Sequence, residues 1–164
     1  MVVVFFSKNI VKMRKIFILL LFIFVKNISF GQESKNELCV VQSEYDFITT
    51  LDKLYKVLES KQLDIFADFN HQKNAYEVAI EMPQSRVVVF GNPKVGTKLM
   101  LDNPQIALDL PLKIAVVEDE NQKVQLIFRN MTTLAEKYNI KDYTIVEKIQ
   151  KMLESIVSLT AKSH

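Results

Sequence analysis

The sequence contains few cysteines, histidines, glycines and prolines. Its 164 residues include no tryptophan, one cysteine, two histidines, three glycines and four prolines. A single cysteine excludes an internal disulfide, so apolar burial has to hold the fold together. Two histidines and one cysteine fall short of a zinc site, and no cofactor motif is present, so we predict no metal, cofactor or catalytic residue. The remaining composition, 49% hydrophobic and 24% charged, is typical of one globular domain.

The positive charge of the chain is concentrated at its N-terminal end. The 21 basic and 19 acidic residues balance to +2, but five of the basic residues and none of the acidic ones fall within residues 1–31. From Gln32 onward, 16 basic residues face 19 acidic ones, a net charge of −3. Nucleic-acid binding depends on a surplus of Lys and Arg that neutralises phosphates. We therefore expect no nucleic-acid partner.

Residues 1–31 have the organisation of a secretory signal peptide. A basic tripeptide at 13–15 precedes ten apolar residues at 16–25. Ser29 and Gly31 stand at the small-residue positions that signal peptidase recognises, which predicts cleavage after Gly31. We therefore expect export to the periplasm or the extracellular space.

Two alternatives for this leader stay open. The apolar patch at Val2–Phe6 fits no signal design, so translation could begin at Met13. If it begins at the first residue, the long basic region could leave the leader uncleaved as a membrane anchor. A spanning helix needs about 20 apolar residues, and Lys26 interrupts this run after ten, so the anchor is the weaker interpretation.

Residues 38–164 are predicted to form a single α+β domain after a short disordered lead at 32–37. Apolar runs and period-two alternation predict five strands, at Leu38–Ser43, Leu63–Phe69, Arg86–Phe90, Leu112–Glu118 and Lys123–Asn130. Period-3.6 patterns predict helices at 47–58, 71–82, 97–101, 133–138 and 142–159. This order mixes βαβ units with one hairpin, so we expect a mixed sheet of about five strands packed against helices.

The last predicted helix carries an unusually wide apolar stripe. Its members recur at spacings of three and four residues: Ile145, Val146, Ile149, Met152, Leu153, Ile156, Val157 and Leu159. One side of a small sheet rarely needs so wide a stripe. We therefore predict that part of it pairs with a second copy in a homodimer.

The chain contains only two glycines after residue 31, Gly91 and Gly96. Glycine used so sparingly is expected where φ is positive or where the backbone approaches another group closely. The spacing of the pair equals that of a phosphate-binding P-loop, but Thr97 and Lys98 stand in reversed order and Pro93 removes an amide donor. Nucleotide hydrolysis is therefore excluded.

A milder binding role for this loop stays open. Free amides at a helix start near Gly96, flanked by Lys94 and Lys98, could hold a small anion or a carboxylate. The alternative interpretation is a structural turn at Gly91–Pro93 with solvated lysines.

Three separated segments, in order, resemble the domain of unknown function 302 family of bacteria and archaea. They are Ile65-Phe66-Ala67 through Asn70-His71, Phe90-Gly91-Asn92-Pro93-Lys94 with Gly96-Thr97 and Leu99-Met100, and Ala107-Leu108-Asp109-Leu110-Pro111-Leu112-Lys113. The resemblance implies a compact α+β fold, often a homodimer, and no established activity. It marks as candidate binding positions the polar residues His71, Asn92, Lys94, Thr97, Asp109 and Lys113. Asn70 stands where the family usually has Asp.

Two function classes follow. The first is a non-catalytic ligand-binding or interaction module with a site around residues 91–98, including Gly96, together with His71 and Asp109. Asp109, flanked by leucines, is expected to be partly buried and to need a partner such as Lys113, Lys94 or backbone amides. The alternative is a small hydrolase or isomerase with His71 as base and Asp109 as acid. A separation of about 10 Å or more between these side chains would exclude that pair.

Overall fold

Residues 36–163 are the part of the chain that the computed structural model describes. They form five strands, β1 (Leu38–Gln42), β2 (Asp64–Asn70), β3 (Ser85–Gly91), β4 (Leu112–Glu118) and β5 (Val124–Arg129). The α-helices are α1 (Phe47–Ser60), α2 (His71–Glu77), α3 (Pro93–Asp102), α4 (Met131–Lys137) and α5 (Tyr143–Ala161), and a 3-10 helix spans Pro104–Leu108. The predicted leader with its alternatives, most of the lead at 32–37, and the terminal His164 lie outside the described residues.

The five strands form one sheet in the order β1-β5-β4-β3-β2. The predicted α+β class and the number of strands are confirmed. The expected mixture of parallel and antiparallel pairs is wrong, since all four pairings are antiparallel. The physical reason lies in the connections. The segment through α1 carries the chain from one edge of the sheet to the other, so β1 and β2 never pair, while α2 and α3 each return the chain to an adjacent antiparallel strand.

Side-chain caps set the helix starts. Asp46 caps α1 and Asp142 caps α5, accepting hydrogen bonds from Thr49 N at 2.9 Å and Ile145 N at 3.2 Å, respectively. Capping carboxylates at these positions satisfy amides that have no partner within the helix.

Two helices differ from the prediction by more than two residues at one end. The second ends at Glu77 rather than Met82, because Ala79 takes a left-handed conformation with φ of 58° and the chain turns there. The third begins at Pro93 rather than Thr97. Proline fits the first turn of a helix because its missing amide would have no partner there.

The core lies between one face of the sheet and helices α1 and α5. Alternate residues of the three strands β3, β4 and β5 supply its sheet side, and they are fully or almost fully buried: Val88, Phe90, Ile114, Val116, Leu126 and Phe128. Leu54 and Leu58 of α1 and Leu153 and Ile156 of α5 complete it. Most of the apolar stripe of α5 is therefore covered by the chain's own core.

Candidate functional site

An apolar cavity of about 390 Å³ lies beside α3. Its walls come from α3, from the segment around the cis peptide bond between Leu110 and Pro111, from α5, and from the adjoining ends of β2 and β3. The lining residues are Leu63, Phe66, Gly91, Asn92, Pro93, Val95, Gly96, Thr97, Leu99, Met100, Leu110, Pro111, Leu112, Ile145, Lys148, Ile149 and Met152. A volume of this size and an apolar lining are typical of small-molecule sites.

The loop and helix start that form one wall are held by Asn92. Its side-chain Oδ1 accepts a hydrogen bond from Lys94 N at 3.0 Å. Its backbone oxygen accepts from Val95 N and Gly96 N at 3.0 and 3.1 Å. The expectation of free amides near Gly96 is therefore wrong, because Asn92 engages each amide of residues 94–96. An anion would have to be held by side chains instead.

Neither glycine of the loop needs a left-handed backbone. No glycine in the described residues has positive φ, which is found instead at Gln62, Ala79, Gln122 and Asn139. A Cβ atom at Gly91 would lie 3.4 Å from Phe66 Cε2, and one at Gly96 would lie 4.0 Å from Leu110 Cδ1, both ordinary contacts. Of the two alternatives expected for these glycines, positive φ is therefore wrong. What the glycines do contribute is space, since both line the cavity without a side chain to fill it.

Asn92, Gly96 and Thr97 are the predicted site residues that the cavity brings together. Lys94 is exposed and lies outside the lining. Of the residues that line the cavity, the polar side chains are Asn92, Thr97 and Lys148. Lys148 forms no ion pair or hydrogen bond within residues 36–163. A positive charge that no other described residue pairs with therefore stands at the edge of an apolar surface.

His71 lies far from the other predicted residues. It follows Asn70, which pairs with one end of β3, whereas Leu112, three residues after Asp109, pairs with the other end. The pairing positions, Arg86 and Phe90, are four residues and so about 13 Å apart along β3, and β2 and β4 lie on opposite sides of that strand, so the segments that carry His71 and Asp109 are well separated. This separation excludes the acid–base pair. His71 is exposed, and Asn70 caps α2 by accepting from Lys73 N at 2.9 Å.

Asp109 is partly buried, as predicted, but the partners of its carboxylate are not the expected Lys113, Lys94 or backbone amides. Its carboxylate accepts a hydrogen bond from Tyr138 Oη at 2.6 Å and lies 3.4 Å from Arg129 Nε and 3.5 Å from Lys137 Nζ. Burial acts to raise the pKa of Asp109, but the hydrogen bond from Tyr138 and the two cations outweigh it, so the net shift is downward. Asp109 therefore anchors a loop beside the cavity rather than lining it.

Lys113 also acts on this loop through the backbone. Its Nζ donates to the carbonyl oxygens of Pro111 at 2.9 Å and Asp109 at 3.3 Å. The predicted pairing of Lys113 with the Asp109 carboxylate is therefore replaced by bonds to carbonyl groups. Both residues position the loop that carries Leu110 and Pro111 into the cavity wall.

Sequence reasoning missed the contribution of α5. Ile145, Lys148, Ile149 and Met152 line the cavity, and three of them are apolar. Ile145, Ile149 and Met152 belong to the wide apolar stripe of α5, part of which is predicted to pair with a second copy. The width of that stripe was the signal, because a helix that packs on a sheet and also walls a cavity needs apolar residues over a wider arc.

The described residues form neither a metal-binding cluster nor a membrane-spanning helix. No set of three or more His, Cys, Asp or Glu side chains within 36–163 is placed to hold a metal ion. In the same range, no helix combines the length and the apolar character that a membrane span requires.

Curated relatives match part of the chain. The fluoride-specific ion channel FluC 1 of Brucella suis biovar 1 is 30% identical over 103 residues, which cover 63% of this chain and 41% of that protein. The fluoride-specific ion channel FluC 2 of Brucella melitensis biotype 1 is 30% identical over 103 residues, covering 63% of this chain and 38% of that protein. The chain thus spans about two fifths of the length of these relatives.

The fold has a solved counterpart. The crystal structure of an uncharacterized conserved DUF302 protein from Bacillus stearothermophilus superposes with a TM-score of 0.69 at 16% sequence identity, covering 77% of this chain and 99% of that one. At this identity the likeness shows the fold. The model of the family described as "Domain of unknown function DUF302" matches residues 39–158, which include every strand but the first residue of β1 and nearly all of α5. The chain belongs to the DUF302 family.

Proposed function

We propose that this domain is a non-catalytic binding module that takes a small, largely apolar molecule into the cavity beside α3. The observation that carries the proposal is the cavity itself, about 390 Å³ in volume and lined by apolar side chains except at Asn92, Thr97 and Lys148. Soluble domains bury surfaces of this kind unless a ligand or partner uses them. Each methylene group of a ligand transferred into such a cavity contributes about 0.8 kcal/mol.

The same lining favours binding over catalysis. The polar side chains of the cavity are an amide, a hydroxyl and an ammonium group, and they include no pair of groups suited to give and take a proton. The acid–base alternative, with His71 and Asp109, requires two side chains that stand at opposite ends of β3. A small anion held at the backbone amides is disfavoured because Asn92 already engages them.

Titration with the neutral fluorescent probe N-phenylnaphthylamine tests the proposal. The probe gains fluorescence in apolar surroundings, so we expect saturable binding to the full chain. Gly96→Leu places a side chain in the cavity and should abolish most of the signal. Met152→Trp, on the wall that α5 supplies, should also abolish most of the signal. This second variant guards against a folding defect specific to the first.

Ala107→Leu is the matched control. Ala107 is exposed on the 3-10 helix and does not line the cavity, so the same leucine side chain added there should leave binding unchanged. Thermal unfolding followed by circular dichroism verifies that each variant is folded. Equal probe binding by folded wild type, Gly96→Leu and Met152→Trp would overturn the proposal, as would no binding by wild type.

Export and self-association are part of this proposal. The signal-peptide pattern of residues 1–31 supports export, and mass spectrometry of the secreted protein should find a mature N-terminus at Gln32. Retention of residues 16–30 would favour the membrane anchor. The homodimer stays a prediction that light scattering at micromolar concentration tests. Ion conduction is not proposed for this chain, because the channel relatives are matched over only 41% and 38% of their lengths.

A further inference from the structure

The polar groups that line the cavity offer hydrogen-bond donors. Lys148 carries an ammonium group and Thr97 a hydroxyl. Asn92 carries an amide whose oxygen is already occupied by Lys94 N at 3.0 Å, which leaves the hydrogens on Nδ2. Within residues 36–163, no Asp or Glu lines the cavity. The polar side chains that a bound molecule can reach in the cavity are therefore donors, and one of them is positively charged.

Lys148 stands at the rim rather than inside. The residue is exposed on α5, while Ile149 beside it is buried and Ile145 and Met152, also in the lining, are half-buried. A lysine at such a boundary packs its methylene groups on the apolar wall and keeps its ammonium in water. Because the ammonium has no partner within the described residues, it is free to pair with an anion. Attraction between charges is stronger beside an apolar wall than in bulk water.

We infer, on the basis of the proposed function, that the ligand is a single-chain amphiphile with a carboxylate head group. Its alkyl chain fills the cavity, and its carboxylate pairs with Lys148 at the rim. A carboxylate accepts hydrogen bonds only, which matches the donors of Lys148, Thr97 and Asn92. An amine head group would instead place two positive charges together, and an alcohol would gain no charge pairing.

Competition against N-phenylnaphthylamine measures the preference for the head group. Dodecanoate, dodecanol and dodecylamine share one chain and differ in charge, and each is used below the concentration at which it forms micelles. With the wild-type chain we expect dodecanoate to bind about fivefold more tightly than dodecanol, the scale of one partly exposed ion pair, and dodecylamine to bind most weakly. Added salt should reduce the preference for dodecanoate.

Variants of Lys148 assign the preference to one residue. Lys148→Gln should bring the affinities for dodecanoate and dodecanol together, and Lys148→Glu should reverse their order. Lys151→Gln is the matched control, since it removes the same charge from an exposed position of α5 that does not line the cavity. Because Lys148 is exposed, its variants are expected to melt at the wild-type temperature.

The outcomes separate the two proposals. If dodecanol and the neutral probe bind but dodecanoate shows no preference, or if Lys148→Gln keeps the preference, the carboxylate assignment is overturned and the apolar site stands. If no alkyl chain and no probe binds the wild-type chain, both proposals are overturned.

Discussion

Tyr138 donates its phenolic hydrogen to Oδ2 of Asp109 across 2.6 Å. The bond joins the end of α4 to the loop that carries Leu110 and Pro111 into the cavity wall. Tyr138 is buried in the core, so the ring packs among apolar side chains while its hydroxyl reaches the carboxylate. One tyrosine thus couples the core of the domain to the shape of the candidate site.

Removing the Tyr138 hydroxyl should destabilise the fold without disturbing the packing. Tyr138→Phe keeps the ring and removes the shortest hydrogen bond to a partly buried carboxylate, which costs about 1–3 kcal/mol. Urea unfolding at neutral pH measures the loss. Tyr76→Phe is the control because Tyr76 is 81% exposed, and it should leave the free energy of unfolding unchanged. Equal stabilities for Tyr138→Phe and wild type would contradict the assigned bond.

The Asp109 carboxylate should make the free energy of unfolding depend on pH in the acidic range. Its pKa in the folded chain lies below the ordinary value of 3.8, because the hydrogen bond from Tyr138 and the charges of Lys137 and Arg129 outweigh the opposing effect of burial. A lowered folded pKa means that the carboxylate stabilises the fold above pH 3.8 and that this contribution is lost as the pH falls through the folded pKa.

Comparison with Asp109→Asn isolates that contribution. The difference in unfolding free energy between wild type and Asp109→Asn should be constant near neutral pH and should shrink once the pH falls below 3.8. Asp64→Asn, at an exposed carboxylate, serves as the control and should show a small difference at every pH. A difference for Asp109→Asn that grows on acidification would show that the sign of the shift is wrong.

Tyr55 should lose its phenolic proton at a higher pH than an ordinary tyrosine. Burial and a hydrogen bond to the Asp68 carboxylate raise its pKa from 10.0 to about 12, against a smaller opposing effect of Arg86. Arg86 Nε itself pairs with Asp68 at 2.6 Å. The raised pKa stabilises the fold below pH 10.0, and that contribution is lost as the pH rises through about 12.

Ultraviolet absorbance of the phenolate follows this titration. Tyr55→Phe should remove the component near pH 12, and Asp68→Asn should move it toward 10.0 because the negative charge beside the hydroxyl is lost. Tyr45→Phe, which leaves the Asp68 pair intact, should keep that component. A wild-type titration that is complete near pH 10 would contradict the Tyr55–Asp68 contact.

Gly96→Ala should stabilise the protein. Gly96 lies in the interior of α3 with a φ that any residue adopts, and a methyl group there would meet Leu110 Cδ1 at 4.0 Å. Alanine in a helix interior is favoured over glycine by about 0.5–1 kcal/mol. Gly91→Ala, next to Phe66 Cε2 at 3.4 Å, should gain less. Destabilisation by Gly96→Ala in chemical unfolding would show that the position needs glycine.

Local sequence patterns predicted the structural features that depend only on residues close together in the chain. Asp46 and Asp142 begin helices because a capping carboxylate acts within three residues. The hairpin of β4 and β5 follows from two apolar runs around a polar turn. The predicted start of α3 is wrong because Asn92 and Pro93, residues typical of turns, form a helix cap followed by a first helical turn.

The residues of the candidate site likewise divide into those that are close in sequence and those that only the tertiary structure brings together. Asn92, Gly96 and Thr97 are close in sequence, and one short segment presents them to the cavity. Sequence reasoning could not identify Lys148, because its place at the rim depends on α5 lining the same cavity as the distant loop that carries Pro111. The pairing of Asp109 with Tyr138 and Arg129 likewise joins segments 20 or more residues apart.

By itself, the sequence determined the α+β class, the number of strands and of α-helices, and the family, because hydrophobic periodicity acts over a few residues. Only the tertiary structure decided that every strand pairs antiparallel, that His71 and Asp109 stand apart, and that the stripe of α5 walls a cavity. These are matters of which distant segments meet, and the physical reason is that many arrangements satisfy the same local pattern while packing of the whole core selects one.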